Sequence, residues 1–306
     1  MGQYYKDYSD FLREHFSGKM QKLTVNAGFS CPNRDGTLSR GGCAYCNNTS
    51  FSPNMGSGSV CEQLQRGKQF FERKYPEMRY LAYFQSYTNT HGDLQSLLAL
   101  YREALAVEKV EGLIIGTRPD CVSDELLDAL AAFDKPVMME YGAESSHNAI
   151  LQAVNRCHTW QQTEDAVQRT AARGLSVGLH FIMGLPGETE CDMLITIARA
   201  MALPIDTIKL HQLQIIKGTA LAANLVCDEQ DVSYNGLKIH QFTVDEYVTL
   251  CVKIVKMIRQ YKPNIAIERF TSQAPEELLI SPRWGLKNYQ FSNLLNNKLK
   301  EEFGVN

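Results

Sequence analysis

The chain has 306 residues, 44% of them apolar, and a net charge of −3, enough for one large folded domain with appendages or two ordinary ones. No run of 18 or more apolar residues occurs and the opening MGQYYKDYSDFLREHFSGK has no apolar signal region, so a cytosolic, cytoplasmic protein with no membrane contact is expected. Nine cysteines at 31, 43, 46, 61, 121, 157, 191, 227 and 251 suggest no disulfide framework; reduced thiols, available to metal, are expected instead.

After an amphipathic N-terminal stretch, short apolar runs alternate with helix-like segments. KLTVNAG (22–28), RYLAYF (79–84), VEGLIIG (110–116), KPVMMEYG (135–142), LSVGLHFIMG (175–184) and TIKLHQLQII (207–216) each read as a strand. Helical periodicity follows in DLQSLLALYREALAV (93–107), in SDELLDALAAF (123–133) with a Ser-Asp start suited to an N-cap, in the pair HNAILQAVN and WQQTEDAVQRTAARG, and in ETECDMLITIARAMA. A polar stretch (222–242), a long helix (243–262) and a strand IAIERF (265–270) complete the pattern.

Strand-then-helix units in succession imply parallel strands joined by right-handed crossovers. The expected class is α/β, a partial (βα)6 TIM-like barrel of parallel strands, with an N-terminal extension over 1–21, the barrel over 22–221 and a C-terminal helix-strand extension over 222–306. In such barrels the working residues lie at the C-terminal ends of strands and in the loops that follow. CPNRDG, QSYTNTHG, GTRPDC, EYGAES and GLPGET all fall there.

The first of these clusters opens CPNRDGTLSRGGCAYC (31–46). Cys43 and Cys46 can point at one metal centre, and Cys31 lies twelve residues upstream through a Pro/Gly-rich connection. Structural zinc asks for four protein ligands, and no fourth partner is evident: His15 is far upstream and Cys61 follows a Gly/Ser-rich loop. Three thiolates suit a [4Fe–4S] cluster with one iron left open to an exogenous ligand. A zinc-stapled, non-catalytic binding protein is the alternative from another class. The other six cysteines show no spacing for a second cluster.

The segment resembles the cluster loop of radical S-adenosylmethionine (SAM) enzymes, in the longer-spaced form of the YhcC/YtqA-like branch, close to the radical SAM domain of Elongator catalytic subunits. GTRPDC (116–121), NRCHT (155–159), GLPGET (184–189) and KLHQLQIIKGTAL (209–221) follow in the order of the Elongator-like group, while YFQSYTNT (83–90) and ERFTSQAPEELLISPRW (268–284) point to the YhcC-like branch. The resemblance implies reductive cleavage of SAM at a [4Fe–4S] cluster to a 5′-deoxyadenosyl radical, with Cys31, Cys43 and Cys46 as iron ligands. It implies that the Ser86 and Tyr87 backbone receives the methionine amino group, though the family's Gly-Gly-Glu is missing there, and that Glu144 stands where relatives carry Gln for the ribose. Arg156 matches the partner of the methionine carboxylate, a pairing suited to a guanidinium fork, and Gly184 and Pro186 mark a loop against adenine.

Catalytic candidates are Thr117, Arg118 and Asp120 at the mouth after the third strand, and His180 and His211, which alternation could aim into the barrel. His91 and His158 fall in mouth loops. Met138, Met139 and Met183 are expected to be packing residues, and a strand histidine is more often a hydrogen-bonded core residue than a proton carrier. The resemblance further implies an electron donor such as flavodoxin or ferredoxin, and a tRNA substrate in which a carboxymethylaminomethyl group on a wobble-uridine C5 is processed to aminomethyl. A small metabolite or peptide is the alternative substrate. Lys and Arg outnumber Asp and Glu by 11 to 7 over residues 1–80 and by 9 to 5 over 251–306, but the stretch between carries 22 acidic against 11 basic residues. Basic ends are compatible with phosphate contacts, and the acidic middle argues against a strongly basic nucleic-acid binder.

Overall fold

The computed structural model describes residues 4–51, 58–227 and 231–304. Strands β1 (Met20–Val25), β2 (Arg79–Phe84), β3 (Val110–Thr117), β4 (Val137–Glu144), β5 (Ser176–Met183) and β6 (Thr207–Gln212) lie side by side in chain order, and Ala266–Arg269 adds a seventh beyond β6. All six pairings are parallel. The sheet curls into a half-barrel, which side-chain reach demonstrates: Lys22 of β1 contacts Glu140 of β4 at 2.9 Å and Glu268 of the seventh strand at 2.6 Å. Across a flat sheet, with strands about 4.8 Å apart, those partners would lie far beyond a lysine's length.

Helices cover the convex face. Val60–Glu72, Leu94–Leu105, Asp124–Ala131, Trp160–Ala171, Glu190–Met201 and Val244–Tyr261 begin at Ser59, Asp93, Ser123, Thr159, Thr189 and Thr243, whose side chains accept from the backbone N–H three residues on. Alternation along the strands sorts residues between two layers. Tyr80, Ala82, Phe84, Met139, Tyr141, Val177, Leu179 and Phe181 join the core beneath the helices. Leu81, Tyr83, Ile114, Met138 and Ala266 face inward and pack with Phe11. The helix Tyr8–His15 thereby closes the barrel at the end where the strands begin, and Asp7 bridges to Ile267.

Two elements differ from the sequence expectation. The expected sixth strand runs to 216, but β6 ends at Gln212, and Ile215–Ile216 pairs instead with Leu279–Ser281 in an antiparallel ribbon. Gln212 exchanges hydrogen bonds with Ser272, accepting from its N–H at 2.8 Å and donating to its carbonyl at 3.2 Å, where the chain leaves the barrel. The strand of the expected extension joins the barrel sheet, because the outer edge of β6 would otherwise carry unpaired backbone groups. Within the polar stretch, Leu225–Cys227, Val232–Tyr234 and Leu237–Lys238 form a small antiparallel sheet.

The Phe11 plug gives a direct test. Phe11→Ala should lower unfolding free energy by about 3 kcal/mol, the usual cost of emptying a buried aromatic site. Urea unfolding should show a lower midpoint at unchanged slope.

Candidate functional site

The C-terminal ends of the strands open onto a cavity of about 1240 Å³ of atom-free space, its mouth included, enough for a cofactor together with part of a substrate. Cys31, Cys43 and Cys46 all line it. Their loop is held by its own sequence. Pro32 starts a single turn, Pro32–Asp35, in which the Cys31 carbonyl accepts from Arg34 and Asp35, and Gly36 ends it with a left-handed φ of 96°. At Gly42, φ is 80° and a Cβ would stand 2.9 Å from Arg34 Nε, so only glycine suits both the backbone and the packing.

That approach aims the Arg34 guanidinium at the Cys46 carbonyl, 2.7 Å away. Asn33 Nδ2 donates to the Asn155 carbonyl at 2.5 Å and lies 3.5 Å from Cys43 Sγ, and Arg156 Nη1 reaches that sulfur at 3.7 Å. Among the described residues no three His, Cys, Asp or Glu side chains converge on a single-ion site. A cubane in which each sulfur binds a different iron asks for wider spacing than one zinc ion does.

Arg156 and Arg118 form the wall beside the cysteines. Arg156 Nη2 donates to the Gly142 carbonyl at 2.6 Å and stands 3.7 Å from Glu144. A Cβ on Gly142 would lie 2.9 Å from that nitrogen and 2.7 Å from the Glu144 carboxyl. Glu144 ends β4 in a left-handed conformation, φ 66°, after a register shift against β5. Burial raises its pKa against the pull of Arg156. Arg118 is held by Asp120 through two bonds, 2.9 and 2.8 Å, and donates to the Arg156 carbonyl at 2.8 Å. Arg156 Nε and Arg118 Nη1 are buried without a protein partner, the condition of a wall built to meet a ligand.

Of the residues singled out in the sequence, the structure brings Cys31, Cys43, Cys46, Tyr87, Thr117, Arg118, Glu144, Arg156, His180 and His211 to this cavity. Ser86, Asp120, Gly184 and Pro186 do not line it. Ser86 is buried beside Asn48, and Gly184 turns against Phe242, whose ring a Cβ there would meet at 2.9 Å. His91 pairs with Asp35 at 2.8 Å. His158 is buried off the cavity, and burial together with Arg156 and Arg118 pushes its pKa down to about 2.

The sequence reading missed an ionic layer deeper in the barrel. Lys22 bridges Glu140 and Glu268; Lys209 contacts Glu268 at 2.7 Å and Glu140 at 3.4 Å; His180 meets Glu140 at 2.7 Å. Burial opposes every one of these charges. It is outweighed at Glu140 and Glu268, whose pKa values the lysines lower, and at Lys22, whose pKa the two carboxylates raise. It prevails at Lys209 and, helped by Lys209, at His180, both lowered. The available signal was a charge at an inward position of an apolar strand, Glu140 in VMMEYG and Lys209 in TIKLH.

Comparison with known proteins places the chain. The family model described as "Radical SAM superfamily" matches residues 31–200, and the Radical_SAM C-terminal domain matches 205–301. The chain belongs to the radical SAM superfamily. Protein YhcC of Escherichia coli is 36% identical over 277 residues, covering 89% of this chain and 85% of that protein. YtqA of Bacillus subtilis is 32% identical over 294 residues, covering 94% and 87%. A tRNA uridine(34) acetyltransferase of Methanocaldococcus jannaschii is 29% identical over 119 residues, 38% of this chain and 22% of that protein. Among solved structures, Methanocaldococcus infernus Elp3 with an N-terminal deletion superposes with a TM-score of 0.64 at 14% identity, a likeness of fold. It covers 94% of this chain, which spans 64% of that one, under two thirds of its length.

As a radical SAM enzyme the chain uses a [4Fe–4S] cluster and SAM, and the cavity suits both. It offers three cysteines for a cluster, and beside them two guanidiniums with unspent donors.

The turn after β5 generates a pH prediction. Glu188 is buried and accepts from the N–H of Gly184 and Leu185 and from the Ser145 hydroxyl, while burial pushes its pKa up to about 7. A carboxyl raised in the fold contributes stability that is complete below its ordinary 4.5 and is lost as the pH rises through about 7. Glu188→Gln keeps the acceptor for the two N–H groups and should remove that slope. The wild-type-minus-variant difference in unfolding free energy should shift by about 3 kcal/mol between pH 4 and 8.

Proposed function

We propose that this radical SAM enzyme acts on the C5 side chain of a tRNA wobble uridine, processing a carboxymethylaminomethyl group to aminomethyl, with Cys31, Cys43 and Cys46 each holding one iron of the cluster. The observation that carries the site assignment is the opening of three cysteines, Arg156 and Glu144 onto one cavity. The tRNA reading draws support from the partial similarity to a tRNA uridine(34) acetyltransferase and from the basic ends of the chain.

Bound together, the cluster and SAM supply one-electron cleavage of the sulfonium and hydrogen-atom abstraction from substrate. The residues supply position. In this reading Arg156 holds the methionine carboxylate with the donor it does not spend on the Gly142 carbonyl. Glu144 accepts from the ribose hydroxyls, and the backbone around Ser86 and Tyr87, where φ of Tyr87 is 60°, receives the amino group. Ile182 and Leu213, apolar residues of the cavity wall, take the adenine contact expected of Gly184 and Pro186. Asp120 positions Arg118 rather than touching substrate. Thr117, hydrogen-bonded to Thr90 at 2.6 Å, and His180 and His211 face the substrate end of the cavity.

The barrel of 22–221, joined by the strand Ala266–Arg269 from the C-terminal segment 222–306, is read as the catalytic unit. An electron donor such as flavodoxin or ferredoxin completes the reaction. No helix among the described residues is long and apolar enough to cross a membrane, and a cytoplasmic setting belongs to the same proposal.

Anaerobically reconstituted protein given dithionite and SAM should form 5′-deoxyadenosine, detected by mass spectrometry, and Cys43→Ala should form none. Arg156→Lys, which keeps the charge and loses the fork, should weaken SAM binding about tenfold, close to 1.4 kcal/mol. tRNA from a deletion strain should accumulate carboxymethylaminomethyluridine and lose the aminomethyl nucleoside. Unchanged nucleosides there would instead favour a small metabolite or peptide.

A further inference from the structure

The seventh strand carries a bulge at the barrel's inner wall. Ile267 pairs with Ile208 and Arg269 with Lys209, the neighbour of Ile208, so Glu268 is an extra residue in the ladder. Side chains normally alternate between faces along a strand, and an extra residue breaks that alternation. Here Ala266 faces inward, Ile267 packs beneath the helices, and Glu268 and Arg269 both turn inward. Two consecutive charged residues therefore turn to the barrel interior from one short strand, where a regular strand would supply one, and of the two Arg269 lines the cavity.

Their situations differ. Glu268 is taken by Lys22 and Lys209, which also take Glu140. No carboxylate among the described residues pairs with Arg269, and its buried Nε has no protein partner. Its Nη2 stands 3.4 Å from Nδ1 and 3.3 Å from Nε2 of His211. The His211 ring thus takes up Nη2 and fixes the guanidinium in place, while Nε is left as a donor without a protein partner. Burial and the Arg269 charge hold the His211 pKa well below its ordinary value, so this ring adds a neutral N–H donor and no charge. The inner layer thus sets three cations, Lys22, Lys209 and Arg269, against two carboxylates, leaving one positive charge that faces the cavity.

We propose that Arg269 and His211 form a receptor for a single carboxylate on the substrate. A guanidinium fork matches a carboxylate's two oxygens, and one surplus charge matches a monoanion better than a phosphate dianion. The proposal rests on reading this cavity as the place where substrate meets SAM, and it gives the substrate class: a molecule or nucleotide side chain bearing a free carboxylate.

The test uses the reconstituted protein loaded with SAM, with ¹³C-acetate as probe and acetamide and inorganic phosphate as controls, followed by NMR line broadening for the carbon probes and by equilibrium dialysis for phosphate. Wild type should bind acetate saturably in preference to both controls. Arg269→Met should weaken acetate binding at least about tenfold, and Arg269→Lys, which keeps the charge without the fork, by an intermediate factor. SAM dissociation constants, measured in parallel by dialysis, should stay within about twofold across the three proteins. Acetate binding unchanged in Arg269→Met overturns the receptor, as does equal binding of acetamide or phosphate. Parallel loss of SAM and acetate in a folded variant also overturns it, by assigning Arg269 to the cofactor. Should Arg269→Met unfold, Arg269→Lys decides alone, and acetate affinity equal to wild type overturns the proposal. A wild type that binds acetate but not SAM would support the receptor while refuting the cofactor reading of the cavity.

Discussion

Glu140, 1% exposed in the middle of β4, accepts from a lysine on β1 and contacts another on β6, neither strand its neighbour in the sheet. Through Glu268 the same lysines also tie in the seventh strand. These contacts exist only in a curled sheet, and a flattened one would strand buried charges without partners. Buried ion pairs contribute little net stability against an apolar replacement, but removing one partner is costly, commonly about 3–5 kcal/mol. The cluster is best understood as selecting curvature: an otherwise apolar parallel sheet has many acceptable shapes, and four charged residues admit one. Apolar packing closes the space below them, through Phe11, Leu81, Ile114 and Met138, and the ligand-sized space lies above.

Two kinds of positive charge divide that space. Near the mouth, Arg34, Arg118 and Arg156 surround the cysteine loop and are oriented mainly by backbone carbonyls and by Asp120. Carbonyls orient a guanidinium without cancelling its charge, so this tier keeps donors for a carboxylate. Deeper in, the lysines are neutralised by carboxylates and hold the walls together. Of the inner cations, Arg269 is the one that pairs with no carboxylate among the described residues.

Much of this could be read from the amino acids. RYLAYF coincides with β2, because that apolar run stops where the polar mouth loop begins. The cysteines and the loops after β2, β3 and β4 were legible for the same reason, each being a polar cluster placed directly after an apolar run. TIKLHQLQII suggests too long a strand, since apolar character continues past Gln212 while the backbone turns away to pair with Leu279–Ser281. The packing of Gly184 on Phe242 is not legible locally, since it depends on a segment more than fifty residues later. The ionic layer was hidden for a related reason: Lys22 is 118 residues from Glu140 and 246 from Glu268, and local pattern carries no information about partners that only curvature brings together.

The helix Tyr8–His15 acquires a meaning that its polar, unremarkable sequence conceals. Because it stops the barrel at the end away from the cysteines, it is a seal against water. Without it, solvent would reach the lysines and carboxylates from behind, screen their attraction and hydrate the interior of a chamber whose chemistry depends on dryness. This short helix is, in this fold, the base of the vessel, and trimming it would open the interior without touching a single residue of the cavity mouth.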